Sequence, residues 1–217
     1  MLPLNRAQLS AIGHGGLPFW SPVTVTILDR LLDGLAIPSG AHVLDIGCGD
    51  GAMLAHVAGR LSGTGTGVDW LPEAIQLARR HSGRLRWRTS KPEPGVEGEP
   101  PADLILAVGS LGAEEAAPLP GRALLLGELV TVGTAPLEML PRPGRRIPEQ
   151  YGWRFVEGVL LDEQALRDYE SWWLRNVRAW ADAHPEVDLT APIAAHAALL
   201  EAGGLGFELT AWRRAVN

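Results

Sequence analysis

The sequence predicts an α/β fold: a doubly wound, mostly parallel seven-stranded sheet with helices on both faces and a helical insertion before the last strand. Three observations predict it. Short apolar runs alternate with amphipathic stretches at helical spacing, the pattern of a parallel sheet covered on both faces. The first apolar run ends in a carboxylate and a glycine-rich loop, Gly47-Cys48-Gly49-Asp50-Gly51. Finally, 217 residues suffice for one continuous core without disulfide or metal staples.

The elements follow in order. Thr24 to Leu35 puts Ile27, Leu28, Leu31, Leu32 and Leu35 on one helical face, with Ser21 and Pro22 as start signals. Pro38-Ser39-Gly40 turns the chain into a strand at His42 to Ile46. The glycine loop leads into a helix ending at Leu61, with Leu54, Val57, Ala58 and Leu61 on its apolar side. Thr64 to Asp69 reads as the second strand, and Pro72 to His81 as a helix opened by proline. Arg84 to Arg88, Asp103 to Val108, Arg122 to Glu128 and Phe155 to Leu161 supply four more strands. Asp162 to His184 and Thr190 to Ala202 form the helical insertion (residues 162–202), and Phe207 to Arg213 is the last strand. Lys91 to Pro101 and Pro136 to Pro148 are loops by composition, and neither separates two independent cores. The layout is therefore one domain, with a cap segment at 1–37, a ligand-binding core at 38–130 and a second sheet half at 131–217.

Composition narrows the functions. A formal charge of −6 disfavours a nucleic-acid partner, because neutralising phosphates needs a basic surface. The run around Arg84, Arg86 and Arg88 alternates with Leu85 and Trp87, which suits an edge strand whose arginines block aggregation. No apolar run is long enough to cross a bilayer, and Met1 to Gln8 lacks the layout of a secretory signal. Cys48 is the single cysteine, which points to a reducing cytoplasm, and the scattered histidines suggest no metal site. The sequence is silent on oligomeric state.

The chemistry sits in Val43 to Gly51. Glycines let the backbone take unusual dihedrals and let a ligand approach closely. In open sheets such a ligand binds beyond the strand ends, where strand order reverses. A dinucleotide fingerprint spaces its glycines GxGxxG, whereas Gly47, Gly49 and Gly51 are spaced GxGxG. Asp45 and Asp50 would repel a pyrophosphate but attract a cationic ligand bearing a free amine. S-adenosylmethionine carries a sulfonium and an ammonium and is the expected cofactor, with S-adenosylhomocysteine as its product.

Val43-Leu44-Asp45-Ile46-Gly47-Cys48-Gly49-Asp50-Gly51 resembles motif I of the class I S-adenosylmethionine-dependent methyltransferases, and Gly67-Val68-Asp69-Trp70 resembles the end of their second strand. The resemblance covers about residues 40–130. It implies that Gly47, Cys48, Gly49 and Gly51 pass under the methionine portion and that Asp45 organises its amino group. It also implies that Asp69 holds both ribose hydroxyls and that Trp70 lies against the adenine, although Trp70 also admits simple packing under the loop. Val108 ends the fourth strand, beside the transferable methyl in that family. Two departures stand out. Thr89-Ser90-Lys91 lacks the acidic residue that often meets adenine, which leaves Ser90 or backbone groups for that task. Gly112 to Pro120 leaves little room for a helix between the fourth and fifth strands.

The acceptor is less legible. In-line methyl transfer draws much of its rate from juxtaposition and needs a base only if the acceptor must lose a proton. Glu128 and His14 are weak catalytic candidates, and Glu128 also reads as a plain strand-end carboxylate. Tyr169, Trp172, Trp173 and Val177 fall on one helical face. That stripe is either core or the roof of a substrate pocket, one of the adjacent tryptophans facing inward in the latter case. A small-molecule methyltransferase is the leading reading; an RNA or protein methyltransferase and a non-catalytic cofactor-binding module are the alternatives.

Overall fold

The computed structural model describes residues 4–90, 101–132, 144 and 151–214. The loops expected at Lys91 to Pro101 and Pro136 to Pro148 lie almost wholly outside them.

The first helix, α1 (Arg6–Gly13), was not expected from the sequence. Asn5 and Gln8 form a reciprocal capping box at its start. Next comes α2 (Val25–Leu35), whose first turn is capped by the Thr24 hydroxyl accepting from the Ile27 N–H, so the helix starts after Ser21-Pro22. Its Leu28, Leu31, Leu32 and Leu35 are all buried, as their spacing required. Then follow β1 (His42–Ile46), α3 (Ala52–Arg60), β2 (Thr64–Asp69) and α4 (Pro72–Ala78), the last a turn shorter than expected. The chain continues through β3 (Leu85–Thr89), β4 (Ala102–Val108), the four-residue α5 (Ala113–Ala116) and β5 (Gly121–Thr131). It ends with β6 (Trp153–Leu161), α6 (Glu163–Ala183), α7 (Thr190–Ala202) and β7 (Leu205–Arg214). The expected lack of room for a helix before β5 corresponds to the stub α5.

The seven strands are ordered β3-β2-β1-β4-β5-β7-β6, with β1 to β5 mutually parallel and β7 antiparallel to both its neighbours. Asp45 of β1 therefore lies beside Gly67 of β2 on one side and Leu106 of β4 on the other. The chain leaves β1 first towards β2 and later returns to β4, so strand order reverses at the tip of β1.

Alternation along each central strand feeds two cores. Val43, Leu104, Leu106 and Leu125 pack with the leucines of α2 and with Leu54 and Val57 of α3. Leu44, Ile46, Ile105 and Leu124 face the other way, onto Ala113, Ala116 and Trp153. A third cluster, built on Trp173, Leu174, Val177 and Leu189, joins α6 to α7 and to Leu9 and Ile12 of α1. At the sheet edge, β3 exposes Arg86 and Arg88 and half-buries Leu85 and Trp87, in the expected alternation. No helix among the described residues is long and apolar enough to cross a membrane.

Candidate active site

The loop after β1 is fixed by its neighbours. The N–H groups of Gly47 and Cys48 both donate to the Val68 carbonyl, at 2.8 and 3.1 Å, and this lashes the loop to the end of β2. Gly47 and Gly51 have φ of 75° and 79°, which only glycine adopts without strain. Both are also crowded: a Cβ at Gly47 would lie 2.3 Å from the Ser110 Cβ, and one at Gly51 2.4 Å from the Trp87 ring. The third glycine, Gly49, donates its N–H to Asp69 Oδ2 at 2.9 Å, while Asp69 Oδ1 accepts from the Leu71 N–H at the same distance. One carboxylate thus ties the glycine loop to the start of α4. Each oxygen keeps a lone pair for a further donor.

Three carboxylates converge here. Asp45 is buried, and burial together with Asp69 and Asp50 pushes its carboxyl up to about 8. Burial also raises Asp50, whose Oδ1 accepts from the Ala52 N–H at 3.2 Å. Such a cluster stores repulsion that a cationic ligand would relieve.

A cavity of about 500 Å³ opens at this switch point. Its floor is Gly47, Gly49 and Asp69, and one wall is Val108, Gly109 and Ser110. Trp70 closes the side, with the Arg6 guanidinium 5.0 Å above its ring. The roof comes from the segment around His14 and Trp20 and from Leu166, Tyr169 and Glu170 of α6. There His14 Nδ1 lies 2.7 Å from the Ser10 carbonyl and Nε2 2.7 Å from Tyr169 Oη. The carbonyl can only accept, so Nδ1 carries the proton and neutral His14 accepts the Tyr169 O–H at Nε2. Burial lowers the His14 pKa and raises that of Tyr169. Glu170 Oε2 lies 3.0 Å from His196 Nε2 behind them.

Of the residues singled out in the sequence, Gly47, Gly49, Asp69, Trp70, Val108, His14 and Tyr169 all line this one cavity. Asp45 at the end of β1, and Cys48 and Gly51 within the loop, do not line it. Cys48 is buried, and burial pushes its thiol far up, which disfavours the thiolate. Ser90 is half-buried beyond β3, its N–H held by the Asp69 carbonyl, and is not a cavity wall.

Three acceptor-site expectations need correction. Glu128 turns away from the cavity because its Oε1 accepts from the Ala113 N–H at 2.9 Å, at the start of α5; its neighbour Leu129 lines the cavity instead. Neither Trp172 nor Trp173 lines it. Trp172 is 37% exposed and donates its indole N–H to the Gly15 carbonyl, whereas Trp173 is buried and stacks on His196 at 3.5 Å. Beyond Tyr169, the stripe is a joint between α1, α6 and α7. The sequence reading also missed Trp20, Arg6, Ser110 and Glu170. Only Glu170 carried a signal, as the residue after Tyr169 on the inner side of a helix.

Residues 43–118 match the family described as "Methyltransferase domain". A ubiquinone biosynthesis O-methyltransferase of Xanthomonas campestris pv. campestris (strain B100) is 44% identical over 55 residues, covering 25% of this chain and 22% of that protein. The chain thus spans about a fifth of the length of the curated relatives it matches. Two solved structures follow almost the whole chain. An S-adenosylmethionine-dependent methyltransferase from Geobacter sulfurreducens superposes with a TM-score of 0.76 at 22% identity, covering 99% of this chain and 100% of that one. Its counterpart from Thiobacillus denitrificans gives 0.75 at 22%, with the same coverage. Both were solved with S-adenosylhomocysteine bound. Residues 43–118 thus carry the signature of a methyltransferase domain, and the fold of nearly the full chain is the one seen in these two S-adenosylmethionine-dependent methyltransferases.

Proposed function

We propose that this chain binds S-adenosylmethionine at the tip of β1 and transfers its methyl group to a small molecule held under α6. The observation that carries the reading is the meeting of Asp45, Asp50 and Asp69 around a glycine loop at the floor of a cavity. That charge pattern fits the cofactor: an uncompensated, buried carboxyl at Asp45 suits an ammonium, and the open lone pairs of Asp69 suit a ribose diol. When bound, S-adenosylmethionine supplies an electrophilic methyl on a sulfonium. Gly47 and Gly49 would hold the backbone low beneath it, Trp70 would offer its ring to the adenine, and Val108 would border the methyl. Asp45 stands on β1 just before the loop, and Cys48 and Gly51 belong to the loop itself. Ser90, at the end of β3, is the side chain nearest in sequence to the expected adenine end.

A cavity of about 500 Å³ is in the range of small-molecule sites. Its roof of α1 and α6 limits the acceptor to something that fits beneath them. The relatives named for ubiquinone biosynthesis O-methylation match over only 55 residues, so they support the donor half of the reading more than the acceptor half. We read the chain as one domain, since strands from both halves share a sheet, and the single buried cysteine favours a cytoplasmic setting.

Calorimetry tests the donor half. S-adenosylhomocysteine should bind and NAD should not, and Asp69→Ala should weaken that binding by roughly 1.5–3 kcal/mol, the worth of a charge-assisted hydrogen bond. Binding of NAD alone would end the reading. Radiolabelled methyl transfer into small-molecule, RNA and protein extracts tests the acceptor half. Label entering only RNA or protein, or none of the three, would replace the small-molecule assignment.

A further inference from the structure

Tyr169 and His14 are hydrogen-bonded to each other, and both line the same cavity as the glycine loop. We propose that Tyr169 and His14 form a proton relay that drains an acidic, phenol-like hydroxyl as its oxygen receives the methyl group. The inference rests on the methyltransferase reading and names its acceptor class.

The hydrogen-bond directions dictate the relay. His14 Nδ1–H is spent on the Ser10 carbonyl, which fixes the tautomer and leaves Nε2 as the acceptor of the Tyr169 proton. A Tyr169 oxygen that donates to Nε2 keeps its own lone pairs for an incoming donor. In the reaction the acceptor oxygen uses a lone pair to form the bond to the methyl carbon. The carbon–sulfur bond breaks and its electron pair stays on sulfur. The acceptor proton passes to Tyr169 Oη as the Tyr169 proton passes to His14 Nε2, leaving tyrosine unchanged and His14 as imidazolium. No oxidant or further reactant is required.

The surroundings set how strong a base this is. His14 is held below its usual range by burial, with His196 of α7 adding to the lowering. The Ser10 carbonyl, Glu170 of α6 and Asp50 of the glycine loop oppose that but do not reverse it. His14 is therefore neutral and ready at neutral pH, but weak. A weak base is matched to a hydroxyl that parts readily with its proton, such as a phenol or enol, and poorly matched to an aliphatic alcohol. The walls agree: Trp20 stacks on His14 at 5.7 Å, and Phe207, Leu129 and Leu166 line the same cavity, a lining suited to a flat, apolar ring.

Catechol and nitrocatechol as probes separate relay from scaffold. At neutral pH catechol is protonated, whereas nitrocatechol has already lost its first proton. With S-adenosylmethionine saturating, His14→Gln and Tyr169→Phe should each cut catechol methylation roughly a hundredfold and leave nitrocatechol methylation and S-adenosylhomocysteine affinity nearly unchanged. The kcat/KM of the unaltered protein for catechol should fall on the acid side, through the lowered pKa of His14, and His14→Gln should abolish that limb. Independently of turnover, nitrogen-15 NMR should show His14 as the Nδ1–H tautomer, with Tyr169→Phe moving its titration. Equal losses on both probes would make the pair structural and overturn the relay, as would full catechol turnover in both variants. No transfer to either probe with S-adenosylhomocysteine bound overturns the acceptor class and leaves the cofactor reading standing; failure to bind S-adenosylhomocysteine removes the cofactor reading itself.

Discussion

At the scale of single residues, Asp45 has the most to report, because its raised pKa makes its ionisation sensitive to any cation bound beside it. Burial and two neighbouring carboxylates lift its folded pKa to about 8, far above the ordinary value near 3.8. The unfolded carboxyl ionises first as pH rises. The stability gained from a protonated Asp45 is therefore full below the unfolded value and is lost as pH climbs towards 8. A cation at the loop reverses the preference and favours the carboxylate. Binding of S-adenosylmethionine at neutral pH should then expel a proton, and its affinity should rise with pH up to about 8. Calorimetry in buffers of different ionisation heat measures this directly. Asp45→Asn should bind more weakly, release no proton and melt with a flatter pH profile. A binding heat that ignores the buffer would place the ammonium elsewhere. Asp45 itself was legible, being a carboxylate two residues before the first glycine, but its protonation was not, since that depends on Asp69 arriving from the next strand.

At the scale of elements, the critical joint is α1 against α6. Gly13 lies so close to Trp173 that a Cβ would sit 2.0 Å from its indole nitrogen. Asn176 Nδ2 donates to the carbonyls of Gly13 and Gly15, at 3.0 and 2.9 Å, and Trp172 adds its bond to Gly15. These contacts hold His14 over the cavity. Gly13→Ala should cost about 1–3 kcal/mol through overpacking, lower the thermal midpoint and speed proteolysis of the first residues. Trp173→Ala should cost more, roughly 3–5 kcal/mol for a buried ring. A Gly13→Ala protein with unchanged melting and proteolysis would show that α1 does not dock this way. The capping pair Asn5 and Gln8 was a readable sign of α1. Its apolar side, Leu9 and Ile12, is too short to announce a helix by periodicity. The aromatic stripe of α6 was readable as a stripe, but what it faced depended on α1 and α7 packing against it.

For the whole molecule, the fold and the ligand share one balance of free energy. A ligand that binds only the folded state at a hundred times its dissociation constant adds about 2.7 kcal/mol of stability. For a chain of this size that corresponds to a rise of roughly 5–10 °C in the thermal midpoint. S-adenosylhomocysteine should produce it, and Asp69→Ala should shrink it, because that carboxylate ties the loop to the start of α4 and lines the cavity with lone pairs to spare. Melting curves unmoved by saturating S-adenosylhomocysteine would show that the cleft does not hold it.

By itself the sequence determined the seven strands and the helices other than α1 and α5, the doubly wound class, the glycine loop and the likeness of Val43 to Gly51 and Asp69 to a cofactor-binding core. These are local properties. Periodicity selects helix or strand, and a loop that needs positive φ must be written in glycine wherever it lies. Tertiary structure alone decided the far side of the cavity. It turned Glu128 to the start of α5, moved Trp172 and Trp173 out of the site, and brought His14 to Tyr169 across 155 residues of chain. Such pairings follow from how separated helices dock, and docking depends on the shape of both faces at once. One sequence window carries only one of them.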